Sequence, residues 1–142
     1  MPVVVDDHNL FDVLAGRTDD AALESSRGGS LFTTGSWYYR LARAASLGTG
    51  AGSLSGRLFD LPAANQDRVR RSLDELPVEI GLLSLRFVVP VMRAIRVRRP
   101  LNFLAAEALA AALMLDAELV VGVHAPLLAD AAAELDVQYR VR

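Results

Sequence analysis

Three carboxylates stand out in this sequence as candidates for chemistry. Asp6 and Asp7 follow a short β-branched run at the N-terminus, and Glu107 is the only ionisable residue between Leu101 and Leu115. Carboxylates after a buried strand either cap the next helix or line a site, because the sites of open α/β sheets lie beyond the carboxyl ends of their strands. A glutamate within an apolar helix must be ion-paired, metal-bound, protonated or directed at an open end of the fold. The sequence alone leaves these alternatives open.

A second set of residues has the chemistry to contact nucleic acid. Arg40 and Arg43 are three positions apart, so they share one face of a helix, and Tyr39 lies between a second tyrosine and Arg40. His124 follows a predicted strand. Arginine binds phosphate and tyrosine can stack on a base. The alternative is structural, because aromatic rings often anchor a core and arginine stems cover them.

Alternating strands and helices must position these residues. Buried strands are predicted at residues 2–5, 78–84 and 118–123, with a last strand at 137–141 whose alternating pattern is typical of a sheet edge. Residues 31–33 are a further extended piece, and the glycine-rich residues 47–56 are predicted as a loop. This order indicates one α/β domain over residues 1–142, a three-layer sandwich in which helices cover both faces of a mostly parallel sheet of about four strands.

Composition excludes several other classes. The formal net charge is -2, so no overall positive field attracts nucleic acid, and the absence of cysteine excludes disulfides and thiolate metal sites. No uninterrupted apolar run is long enough to span a membrane, and the first residues do not resemble a secretory signal. We therefore expect no membrane association and a cytoplasmic location.

Two stretches together resemble the PIN domain, the metal-dependent ribonuclease fold of many bacterial toxins from toxin–antitoxin pairs. The N-terminal VVVDDHNLF is similar to the family's strand, acid and following apolar helix. The later AEALAAALMLDAELVV is similar to its alanine-rich helix, short turn and strand. TTGSWYYRL lies where the family begins a helix that carries a glutamate. The family's other acids fall on Ala105, near Tyr39 or Arg40, and at Val123 or His124, so the resemblance implies a site depleted in carboxylates.

The resemblance implies an RNA-cleaving nuclease, with Asp6, Asp7 and Glu107 as catalytic residues and as ligands of one Mg²⁺ or Mn²⁺ ion. The resemblance thus implies that Glu107 binds the metal. The alternative prediction is that Glu107 forms an ion pair with Arg40, Arg43 or another arginine. RNA would contact Arg40, Arg43, Tyr39 and His124. An antitoxin or another protein is the expected partner, and we expect a homodimer.

Two other functions remain open at this point. The first is a catalytically degenerate PIN-like binding or oligomerisation module, which would use exposed apolar surface around Trp37 or residues 87–92. The second is an α/β domain outside the PIN family that binds an anionic small molecule through Arg40, Arg43 and His124.

Overall fold

The structure, a computed structural model, describes residues 1–21, 23, 28–47 and 52–142. Its strands are β1 (Val3–Val5), β2 (Leu31–Thr33), β3 (Ile80–Leu82), β4 (Glu118–Val121) and β5 (Tyr139–Val141). Its helices are α1 (Asp7–Ala15), α2 (Gly35–Ser46), α3 (Ser53–Phe59), α4 (Ala63–Asp74), α5 (Leu85–Arg98), α6 (Phe103–Leu115) and α7 (Pro126–Glu134).

The strands form one parallel sheet in the order β3-β2-β1-β4-β5. β1 is central, with Val5 opposite Thr33 of β2 and Val120 of β4. The chain therefore adds β2 and β3 on one side of β1, and then crosses to add β4 and β5 on the other. The strand order reverses between β1 and β4, which is where open α/β sheets bind their ligands.

Two apolar cores lie on the two faces of this sheet. Val4 and Leu119 belong to one core with residues of α5, α6 and α7. Val5 and Val120 belong to the other, with residues of α1, α3 and α4 and with Leu41 of α2. Adjacent residues of a strand point to opposite faces, so the short β-branched strands supply both cores at once. The predicted three-layer α/β sandwich is confirmed.

Local sequence signals explain where the helices near the sheet edge begin. Asp6, Thr34, Ser84 and Asn102 are the N-caps of α1, α2, α5 and α6, and each side chain accepts a backbone N–H of the first turn. Gly16, in the left-handed region at φ 68°, ends α1. No helix in the described part of the chain has the length and apolar character needed to cross a membrane.

The structure corrects three details of the sequence prediction. The extended piece at residues 31–33 is a full member of the sheet. In the part of the chain that the structure describes, this sheet has five strands rather than about four, and every strand pairing is parallel. Three residues are too few to show the alternation that marks a strand. The predicted loop at residues 47–56 gives way to α3 at Ser53, and its residues 48–51 lie outside the described residues. Trp37 does not supply exposed apolar surface, because it is buried.

Candidate functional site at the strand-order reversal

A pocket of about 360 Å³ opens at the carboxyl ends of β1 and β4. Its walls come from the segments that follow these strands, from the first two turns of α2 and from the first turns of α6 and α7. The lining residues are Asp6, Asp7, His8, Trp37, Arg40, Asn102, Leu104, Ala105, Val121, Val123, His124, Ala125 and Leu128. The fold thus brings together four of the sequence-predicted site residues, namely Asp6, Asp7, Arg40 and His124.

Asp6 is a structural carboxylate as well as a pocket residue. Its Oδ1 accepts the backbone N–H of Asn9 and the Asn9 side-chain amide, both at 2.9 Å. Its Oδ2 accepts the N–H of Gly122 at 2.7 Å, across the boundary between β1 and β4. One side chain therefore caps α1 and ties it to the end of β4.

Gly122 has to be a glycine for this contact to form. A Cβ at this position would lie 2.7 Å from the Cβ of His8. The backbone of Gly122 can therefore approach α1 closely enough to reach Asp6, whereas any larger residue would push the two segments apart.

Asp7 is buried and faces an arginine. Its Oδ1 accepts the N–H of His8 at 3.0 Å, while its Oδ2 has no hydrogen-bond partner among the described residues and lies 3.2 Å from the Nε of Arg40. The contact with Arg40 is thus an ion pair without hydrogen-bond geometry. Burial raises the pKa of the Asp7 carboxyl above its ordinary value, and the nearby charge of Arg40 opposes this rise.

Glu107 does not line the pocket; it binds the first turn of α2. Its Oε1 accepts the N–H of Ser36 at 3.3 Å and its Oε2 accepts the Ser36 hydroxyl at 2.5 Å. The side chain is only 1% exposed. A carboxylate is favourable there because the N-terminus of a helix carries partial positive charge. The prediction that Glu107 pairs with an arginine is wrong among the described residues, in which Glu107 forms no ion pair with Arg40, Arg43 or another arginine.

The arrangement of these carboxylates does not suit a divalent metal. Within the described ranges, no group of three histidine or acidic side chains could hold an ion. The oxygens of Asp6 and Glu107 already accept protein donors, and the free oxygen of Asp7 lies beside a cation, Arg40. Magnesium needs oxygens that are open to it. The Mg²⁺ or Mn²⁺ site of Asp6, Asp7 and Glu107 stays a prediction.

The predicted nucleic-acid contacts lie in and beside the pocket. Arg40 lines it, and also lines a second hollow of about 280 Å³ together with Arg43. Tyr39 is 68% exposed on the same helix, four positions before Arg43, so their side chains can share one face. His124 is exposed and also lines the pocket, and its ring meets that of Tyr139 edge-on. These four residues form the α2–His124 surface.

Two residues in or beside the site were not among the site residues predicted from the sequence. His8 lines the pocket, and its Nδ1 lies 3.4 Å from an Arg57 nitrogen. Its place directly after two strand-end acids was the available signal. Ser36 is the second such residue. Thr34 is the cap, and Ser36 is free to bind Glu107, a role that no local pattern reveals.

Comparison with known proteins does not assign the site. The chain matches no protein-family model and no curated protein sequence.

Proposed function

We propose that this chain is a PIN-like module that binds single-stranded RNA on the α2–His124 surface, without metal-dependent cleavage. The parallel sheet with helices on both faces is compatible with a PIN-like fold. The proposal that the chain does not cleave RNA depends on one observation, namely that each of the three carboxylates already contacts a donor or a cation of the protein. Asp6 and Glu107 accept protein donors, and Asp7 is paired with Arg40.

The chemistry of the surface supports RNA as the ligand. Arg40 and Arg43 place two guanidinium groups along one side of α2, where they can each contact a phosphate oxygen. Tyr39 offers an exposed ring on which a base can stack, and single-stranded RNA exposes its bases for such stacking. The pocket is large enough to take one nucleotide unit.

The carboxylates give the pocket a binding role rather than a hydrolytic one. Phosphodiester hydrolysis by metal ions needs carboxylates that hold the ions and position water. Here Asp6 holds α1 against β4, and Glu107 holds α2 against α6. Asp7 orients Arg40 at the pocket wall. The same acids that the PIN resemblance assigns to catalysis therefore build the binding surface.

The test is the affinity of the purified chain for a fluorescein-labelled single-stranded RNA, measured by fluorescence anisotropy in the presence of EDTA. Arg43→Glu should weaken binding on the order of tenfold, because a phosphate contact becomes a repulsion. Tyr39→Ala should weaken it through lost stacking. Arg93→Glu is the matched control, since it makes the same charge change on α5. Equal losses in Arg43→Glu and Arg93→Glu, or no binding in EDTA, would contradict the proposal.

The absence of cleavage is tested separately. The same RNA is incubated with the chain in millimolar Mg²⁺ or Mn²⁺ and separated on a denaturing gel. We expect intact RNA. Metal-dependent cleavage that disappears in Asp6→Asn and Asp7→Asn would show that the chain is a nuclease, and it would contradict the proposal that the chain binds RNA without cleaving it.

A further inference from the structure

Helix α5 carries two apolar stripes, and only one of them packs against the fold. Val88, Met92 and Ile95 are buried in the core on the side of α6. A second stripe, formed by Phe87, Pro90, Ala94 and Val97, faces outward and is exposed along its whole length. Phe87 is 62% and Val97 80% exposed. The positions differ by three, four and three residues, which is the spacing of a seam that receives another helix.

Hollows flank this outer stripe on both sides. One, of about 390 Å³, is lined by Val89, Met92, Arg93, Arg96, Val97 and Phe103. The other, of about 510 Å³, is lined by Val91, Ala94, Ile95, Arg98, Leu113 and Leu135 and by the ion pair of Arg99 and Glu134. A ridge with a hollow on each side is a shape that accepts the side chains of a packed helix. It suits a helical partner better than the flat surface of a lipid bilayer.

The charges that α5 itself carries are of one sign. Glu134, which also lines the second hollow, is already paired with Arg99. Helix α5 contains Arg86, Arg93, Arg96 and Arg98 and no acidic residue. Within the described residues, none of these four arginines forms an ion pair. Two copies of α5 packed on each other would therefore oppose arginines without any acid on the helix to compensate. A partner that carries carboxylates beside its apolar residues would form ion pairs with these arginines.

From these observations we propose that the outer face of α5 is a docking surface for an acidic amphipathic helix of another protein. The partner's apolar residues pack on Phe87 and Val97, and its carboxylates pair with the arginines that line the two hollows. The proposal does not depend on RNA binding, because the α2–His124 surface shares no residue with this face.

The probe is a synthetic helical peptide with leucine at heptad positions a and d and glutamate at e and g. Its twin has lysine in place of every glutamate. Binding to the full chain is measured by fluorescence anisotropy with the labelled peptides. The glutamate peptide should bind and the lysine peptide should not, because only the first complements the arginines.

Substitutions on α5 test whether the glutamate peptide binds to this helix. Phe87→Asp and Val97→Asp should each weaken the glutamate peptide about tenfold or more, since each removes an apolar anchor and adds a charge of the wrong sign. Val78→Asp is the control, because Val78 is fully exposed and lies outside α5. Arg93→Ala should reduce the preference for glutamate over lysine while leaving the apolar contact.

Several results would overturn the proposal. One is equal binding of the two peptides, and another is binding that Val97→Asp leaves unchanged. Self-association of the chain in analytical ultracentrifugation that Val97→Asp abolishes would show a second copy to be the occupant. Sedimentation with phosphatidylserine vesicles, lost in Phe87→Asp and Val97→Asp, would show the occupant to be an anionic membrane.

Discussion

At the scale of single residues, three buried carboxylates differ in how their charge is accommodated. Asp6 is surrounded by backbone and amide N–H groups, and Glu107 is held by Ser36 at the start of a helix. Asp7 has one weakly compensated oxygen beside Arg40. Hydrogen bonds stabilise a buried anion far better than proximity to a partly exposed cation. Asp7 is therefore the carboxylate whose ionisation the folded state resists.

This difference predicts how stability depends on pH. The pKa of Asp7 is raised above its ordinary 3.8, chiefly by burial. Between the ordinary and the raised pKa the folded chain binds more protons than the unfolded chain, so the free energy of unfolding falls as pH rises through this window. Asp7→Asn cannot ionise and should lack this part of the fall. Urea unfolding from below pH 3.8 to neutrality should show the variant gaining stability relative to the unmodified chain as pH rises, and then levelling off.

Asp67→Asn controls for the loss of one negative charge, because Asp67 is an exposed residue of α4. A stability difference between Asp7→Asn and the unmodified chain that stays flat with pH, or shrinks as pH rises, would contradict the assignment. The same pH series on Asp67→Asn shows whether a general charge effect accounts for the slope.

At the scale of elements, the site depends on contacts that join helices from different parts of the chain. Glu107, in the second turn of α6, binds the first turn of α2, and the same helix α2 places Trp37 and Arg40 in the pocket. Asp6 connects α1 to the segment after β4. A buried polar contact of this kind sets the position of a helix, since its donors cannot find water if the helix shifts.

The contact between Glu107 of α6 and Ser36 of α2 should contribute measurably to the free energy of unfolding. Glu107→Ala leaves the N–H and hydroxyl of Ser36 without their acceptor and opens a small cavity, so the free energy of unfolding should fall by about 3 kcal/mol. Glu107→Gln keeps an acceptor and should cost about 1 kcal/mol. Urea unfolding of Glu107→Ala, Ser36→Ala and the double variant measures the coupling. Additive effects would show that the two side chains do not act as a pair.

At the scale of the whole molecule, the last strand is fastened to the N-terminal third of the chain by charge. Arg142 pairs with Asp12 and Asp19 at 3.0 Å and also donates to Asn9. Arg140 pairs with Asp20 at 2.6 Å and, on the neighbouring strand β4, with Glu118 at 2.7 Å. β5 is an edge strand with a single strand neighbour, so these pairs add to a limited set of hydrogen bonds. Networked and partly buried pairs contribute more than isolated surface pairs.

This network predicts a stability loss that added salt reduces. Arg142→Ala should lower the free energy of unfolding by about 1 to 2 kcal/mol, because it removes several contacts of one partly buried side chain. The loss should shrink in high salt, which screens the pairs. Arg98→Ala, which removes an exposed arginine without an ion pair among the described residues, should change stability by less than about 0.5 kcal/mol. Equal effects of the two substitutions in chemical denaturation would contradict the role of the network.

The sequence by itself determined the features that depend on neighbouring residues. Apolar runs predicted that strands and helices alternate, and the acids after the first strand indicated the edge of the sheet at which the pocket lies. The spacing of Arg40 and Arg43 correctly placed both on one side of a helix. Such patterns are readable because hydrogen bonding within a helix and alternation within a strand involve residues close together in the chain.

Only the tertiary structure decided what each candidate residue contacts. The Ser36 partner of Glu107 is 71 positions away, and the Gly122 partner of Asp6 is 116 positions away. The order of strands, with β1 between β2 and β4, likewise joins segments that are far apart in sequence. These contacts depend on how whole elements pack, and many partners would satisfy a carboxylate equally well in local terms. For this reason the sequence located the acids, whereas packing decided that two of them hold helices in place and that the third faces Arg40.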